Sequence, residues 1–292
     1  MRVFFDEAQA ANKRNSLLLI AFVIILAFLM AYFITWYLRL GTSGILLAAI
    51  FAIAYPLFSY YASDSIVLAS SGAKPADEQQ YRQFHNVIEG ITIASGLPKP
   101  KVYVIDDPSP NAFATGRDPR HASIAATTGL LSMMGRQELE GVVAHELSHI
   151  KNYDIRFMTL TVALIGMISI MADIFLRMFM FGGRGNRDRT PPIFMLAGLA
   201  LIILSPIVAQ IVKFAISRQR EYLADATAAE LTRYPVGLAS ALKKIKEANL
   251  PTKTAAQAAA SLYISDPFVN KLTNVFSTHP PIDERIKRLE AM

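Results

Sequence analysis

The chain has 292 residues, of which 53% are hydrophobic and only 18% charged, with a formal net charge of +6. Soluble domains carry nearer one quarter charged residues, so part of this chain is expected in lipid. It has no cysteine, which excludes disulfides, thiolate catalysis and every cysteine-based metal site, and no dense basic run with interleaved aromatics, which argues against a nucleic-acid surface.

Taken in chain order, Leu17–Leu38 holds no charged residue and is long enough to cross a bilayer as a helix. Its apolar run is too long for a signal peptide, so it reads as a retained anchor. Gly44–Tyr61 is also uncharged but shorter, and it contains Pro56. Pro75–Ser95 reads as a helix, and Lys101–Ile105, alternating and β-rich, as a strand. Asp106–Gly116, with Pro108 and Pro110, reads as a loop, His121–Thr128 as a short strand and Gln137–Tyr153 as a helix. A third apolar stretch, Phe157–Phe181, contains Asp173 and Arg177, which are four residues apart and able to pair on one helix face. A fourth, Ile193–Ile216, holds Pro206, Gln210 and Lys213. Arg218–Thr232 continues helically and Val236–Ala248 forms a further helix. The expected fold is a mainly α membrane protein, with four apolar transmembrane helices and a peptidase domain containing a small β-sheet. Residues 1–61 supply a tail and two spans, 62–156 and 217–292 the two parts of the domain, and 157–216 a membrane hairpin.

Lys and Arg near the spans set the orientation. Arg2, Lys13 and Arg14 precede the first span and only Arg39 follows it, which places the N-terminus in the cytoplasm. Residues 62–156 and 217–292 then share the cytoplasmic side. Arg184, Arg187 and Arg189 in the Gly182–Pro192 loop resist this topology: either the third and fourth stretches form a hairpin that does not fully cross, or the rule is locally violated.

The strongest chemical signal is His145-Glu146-Leu147-Ser148-His149. Histidines four apart on a helix share one face and can ligate one zinc ion, while the Glu between them reaches toward the reacting water. A catalytic zinc needs a third protein ligand and an open position. No cysteine exists and no histidine follows His149 until His279, so a carboxylate is the candidate. Glu221 and Asp225, again four apart, suit this: one as ligand, the other accepting the ring N–H of a ligand histidine. His85 and His121 have no partner motif and read as ordinary histidines.

The run His145–Asp154, with Glu221–Asp225 and Ser277-Thr278-His279-Pro280-Pro281, closely resembles the HtpX-type membrane metallopeptidases, bacterial and archaeal relatives of the type I CAAX prenyl proteases. The resemblance covers nearly the whole chain. It implies a gluzincin fold holding one zinc ion, with Glu221 as third ligand and Asp225 behind it. Asn152 and Asp154 are then structural partners of the zinc helix, and Asn111–Gly116 is the loop before the substrate-binding edge strand. His279 would stabilise the oxyanion, organised by Arg285. The resemblance further implies an inner-membrane protease facing the cytoplasm, whose substrates are misfolded or damaged membrane proteins under stress. The prenyl-protease branch has more membrane helices than this chain can hold. With Glu146 as general base, an edge strand around His121–Thr128 (Ala122, Ser123, Ile124, Ala125 and Ala126) is expected to hold extended peptides by main-chain hydrogen bonds. A zinc-binding scaffold without turnover and a prenyl-peptide protease are the competing readings.

Overall fold

The computed structural model describes residues 2–37, 40–161, 166, 167, 173, 177, 218–248, 250–252, 262–265 and 280–292. The first apolar stretch belongs to a longer helix, α1 (Arg2–Tyr37), and the second to α2 (Gly41–Ser70), which runs through Pro56 without a break. The two helices pack on each other through small residues: Ala27, Ala31, Ala48 and Ala52 are buried. Leu17, Leu18, Ile53 and Phe58 point outward and are exposed. Small residues inward and large apolar residues outward is the pattern of helices that meet in lipid, where close backbone approach drives association. Gly41–Ala62, with a mean hydropathy of 1.8 over 22 residues, is long and apolar enough to cross a membrane. In α1 the apolar helical stretch among the described residues is Ser16–Leu29. Beyond residue 161 the third stretch is described only at four positions, where Arg177 Nε donates to Asp173 Oδ2 at 2.8 Å. The fourth stretch and the Gly182–Pro192 loop lie outside the described residues.

Four strands form one mixed sheet in the order β1-β2-β4-β3: β1 (Lys74–Pro75), β2 (Lys101–Ile105), β3 (Ala112–Gly116) and β4 (Ala122–Thr127). β2 and β4 are parallel, and the other pairs are antiparallel. Two sequence expectations change here. The helix expected over Pro75–Ser95 starts only at Arg82 (α3, Arg82–Ser95), because Lys74 and Pro75 pair with β2 and Asp77 then folds a turn by accepting the N–H groups of Gln79 and Gln80. The second half of the expected loop Asp106–Gly116 is strand β3. Its residues are all buried, so it lacks the alternation by which an isolated strand is recognised.

The two faces of the sheet serve two cores. Val102, Val104, Ala114, Ile124 and Ala126 pack with α3, α5 (Arg136–Lys151) and α7 (Pro235–Ala248). Ile105, Phe113 and Ala125, on the opposite face, pack against Val67 and Leu68 from the end of α2 and against Phe157. A short helix α4 (Thr128–Met133) links β4 to α5. Helices α6 (Arg218–Thr232), α7 and α8 (Ile282–Glu290) complete the described domain.

Candidate active site

Helix α5 is the axis of the site. Residues Val142–Ile150 are buried without interruption, so the helix is enclosed on every side. Its first turn is pinned by Glu138, which accepts from Gly135 N–H at 2.7 Å, from Ser240 Oγ at 2.6 Å and from Lys244 Nζ at 2.7 Å. Gly141 lies one turn before His145. A Cβ there would stand 2.7 Å from the main-chain N of Leu238, so only glycine lets α7 come this close. A Cβ at Gly237 would in turn stand 2.7 Å from the Gln137 carbonyl oxygen.

From α5, His145 and His149 project toward Glu221 in the first turn of α6. Their Nε2 atoms are 3.2 Å apart, and the Glu221 carboxylate oxygens lie 3.7 Å from His145 Nε2 and 3.6 Å from His149 Nε2. Among the described residues these three form the group able to hold a metal ion, with all ligand atoms within 4.8 Å of one another, and all three residues are buried. Ligands sharing one tetrahedral zinc at the usual bond lengths lie about 3.3 Å apart. Two imidazole nitrogens aimed at each other beside a buried carboxylate therefore fit a shared cation.

Each histidine is oriented by a carboxylate on its other nitrogen. His145 Nδ1 lies 3.0 Å from Asp225 Oδ1, and His149 Nδ1 lies 3.1 Å from Asp154 Oδ2. Such contacts fix the tautomer and leave Nε2 free to face a shared cation. Asp154 reaches back to α5 through a tight turn in which Asn152, fully buried, caps the helix by donating its N–H to the Ser148 carbonyl, and Tyr153 adopts a φ of 60°. Arg285, from α8, is buried and grips Asp225 with two bonds, Nε to Oδ2 at 2.9 Å and Nη2 to Oδ1 at 2.7 Å. Its Nη1 lies 3.6 Å from Glu221.

The charges follow from these contacts. Burial and the Arg285 cation push His145 down to about 4, against the pull of Asp225, so it is neutral and ready to ligate. Burial works against protonation of His149 too, but the Asp154 hydrogen bond and the Glu221 charge outweigh it and raise the metal-free group to about 9. Burial and Glu221 raise Glu146 to about 7, against the opposing pull of His149. Burial opposes the charge on Asp225, yet Arg285 and His145 hold it well below the usual carboxylate range. The Glu146 carboxylate lies under the main-chain N–H of Ala114 in β3 and makes no close hydrogen bond to a described side chain.

The expected groups thus meet as follows. His145, His149, Glu221 and Glu146 converge, with Asp225 and Asp154 behind them. Arg285 holds Asp225, and the expected partnership of Arg285 with His279 lies outside the described residues. The expected substrate edge is corrected. β4 lies between β2 and β3 with both sides paired, so Ala122, Ser123, Ile124, Ala125 and Ala126 offer no free main chain, and the edge beside Glu146 is β3. The Asn111 amide is engaged by its own chain, donating to Thr252 Oγ1 and the Ser265 carbonyl, each at 3.2 Å. Sequence reasoning missed Arg220, which lies 3.8 Å from Asp154 and sits over the Phe157 ring. Its position one residue before Glu221 was the available signal.

A histidine pair on one helix, a glutamate on a second and a buried carboxylate between the histidines define a centre of the metallopeptidase type. Residues 78–292 match the pattern of peptidase family M48, and the chain belongs to that family. It is 50% identical over 291 residues to a "Protease HtpX homolog" from Caldanaerobacter subterraneus subsp. tengcongensis, covering 98% of this chain and 97% of that one. It is 48% identical over 288 residues to the protein of the same description from Dictyoglomus thermophilum, covering 99% and 95%. Among solved structures, that titled "Crystal Structure of S. mikatae Ste24p" superposes with a TM-score of 0.52 at 20% identity, covering 99% of this chain and 67% of that chain, which shows a shared fold.

Proposed function

We propose that this protein is a membrane-embedded zinc endopeptidase of the HtpX type. The observation that carries the proposal is the convergence of His145, His149 and Glu221 within 4.8 Å, with the Glu146 carboxylate buried beside them. A His₂Glu set is a catalytic zinc set, leaving the fourth position for water or substrate, whereas structural zinc sites are closed by four protein ligands. Zinc, when bound there, polarises the scissile carbonyl and acidifies water. Glu146 takes the proton of the attacking water and delivers it to the leaving amine, as a carboxylate buried beside the metal ligands can do. A zinc-holding scaffold without turnover would have no use for Glu146, which is not a ligand. His279, by resemblance, is the proposed donor to the oxyanion.

The membrane setting rests on Gly41–Ala62 and on the outward Leu, Ile and Phe side chains of α1 and α2. Four spans, a cytoplasm-facing site in the bacterial or archaeal cytoplasmic membrane, and damaged or misfolded membrane proteins as substrates complete the proposal. The test is Glu146→Gln in purified, zinc-loaded protein. The amide keeps the shape and removes the base, so zinc content stays at one per chain while hydrolysis of an unfolded polypeptide falls by about 10²–10⁴-fold. Full activity with bound zinc would remove Glu146 from the mechanism.

A further inference from the structure

The edge strand beside Glu146 already carries a short segment of the protein's own chain. Tyr263 forms an antiparallel bridge with Phe113, and Ile264 N–H donates to the Ala112 carbonyl at 2.8 Å. In β3 the pairing with β4 turns Asn111, Phe113 and Thr115 inward, as the bond from Thr127 N–H to the Asn111 carbonyl shows, so Ala112 and Ala114 present their main-chain groups to the free edge. Those are the groups an incoming extended peptide must use, and Ala114 is the residue whose N–H faces Glu146. The segment from Leu262 to Ser265 therefore sits where strand addition would seat a substrate.

Its anchors reach into the metal centre. Ser265 offers its carbonyl to Asn111 Nδ2 at 3.2 Å, and the Ile264 carbonyl accepts from Arg285 Nη1 at 3.1 Å, the same guanidinium that grips Asp225. Leu262 and Tyr263 are buried with Phe113, Val67 and Phe157, and the Tyr263 ring lies edge-on to Phe113 with centroids 4.9 Å apart.

We propose that Leu262–Ser265 is an internal strap that occupies the peptide groove, and that polypeptide substrates enter only in exchange for it. This rests on the peptidase reading above. A substrate that must displace the strap sees only the open fraction of the protein, so its apparent KM rises in inverse proportion to that fraction: a strap open one tenth of the time raises KM about tenfold.

The absence of cysteine allows a clean lock. Phe113 and Tyr263 face each other as a cross-strand pair without mutual hydrogen bonds, a spacing of about 4.5 Å between Cα atoms that a disulfide spans. In the full-length, zinc-loaded Phe113→Cys/Tyr263→Cys protein, oxidation is expected to slow casein hydrolysis at least about tenfold at unchanged zinc content, and a phosphine reductant to restore it. Equal rates in the two redox states would overturn the proposal. If the pair variant is inert in both states, Ile264→Pro decides, since it deletes the N–H held by Ala112: a lower KM for casein supports the strap, and an unchanged or higher one overturns it. A readout independent of turnover separates the two readings. When casein binds zinc-loaded Glu146→Gln protein, the Ile264 amide should exchange with solvent faster, and unchanged exchange in the complex refutes displacement. Faster exchange in a protein whose wild type cleaves nothing would refute the peptidase reading and leave the strap standing.

Discussion

Replacing Arg285 by methionine tests the electrostatic frame of the site. Arg285 is 1% exposed and gives two hydrogen bonds to the buried Asp225 carboxylate. The Arg285 cation is itself one cause of the low His145 value of about 4, so in its absence a proton taken up by His145 beside Asp225 offsets part of the loss. The Arg285→Met substitution would leave a buried anion without its cation, a loss of about 3–5 kcal/mol. For a protein of this size that lowers the melting temperature of the zinc-free form by about 6–20 °C. Adding Asp225→Asn removes the stranded charge, so the double variant should melt well above Arg285→Met alone. Arg288→Met is the control: its guanidinium lies over Tyr222 and pairs with Glu284 at the surface, where such pairs contribute about 0–1 kcal/mol. Thermal unfolding in detergent, followed by near-ultraviolet circular dichroism, measures the wild type, Arg285→Met, Asp225→Asn, the double variant and Arg288→Met. If Arg285→Met melts no lower than Arg288→Met, or if the double variant loses the sum of its singles, the Asp225–Arg285 pair is not the support described.

Glu221→Ala is expected to weaken zinc binding far more than Asp225→Ala, whose loss as an orienting partner costs about 10–100-fold; chelator competition ranks them, and the reverse order would exchange their roles. Gly141→Ala should destabilise the domain by about 1–3 kcal/mol in thermal unfolding, because the new methyl meets the Leu238 backbone, which cannot rotate away. Zinc binding at pH 7.4 should release about one proton from His149, raised to about 9 in the metal-free protein, with a further fraction from Glu146. Calorimetry in buffers of differing ionisation enthalpy reads this, and Asp154→Asn should cut the release; an unchanged value would detach Asp154 from the His149 proton. A raised pKa stabilises the metal-free fold fully below pH 6.5, and the contribution fades as pH rises through about 9.

Much of the centre was legible because helical spacing is local. His145 and His149, and Glu221 and Asp225, declare shared faces four residues apart, and the helices that carry them lie where the sequence placed them. The edge strand was not legible. β3 and β4 are both short and wholly buried, and which of two such strands is internal depends on pairing order, a non-local property. The Asp225–Arg285 pair joins α6 to α8 across the fold, and one of two arginines in an exposed-looking amphipathic helix carries no sign of burial. Leu262–Ser265 gave no signal at all, since a four-residue segment held by a single bridge has no period to detect.

Helix α2 outlasts its apolar stretch. From Ala62 it continues to Ser70, and Val67 and Leu68 are buried beneath the sheet face opposite α5. Those eight residues span about 12 Å of unbroken helix. The sheet is therefore mounted on a stiff post instead of a tether. The catalytic groove keeps a set height and heading relative to the bilayer proposed around Gly41–Ala62. A single-residue insertion between Ala62 and Val67 would raise it by about 1.5 Å and turn it by about 100°. For the membrane-protein substrates proposed above, reach, and not sequence preference alone, would then select which peptide bond arrives at Glu146.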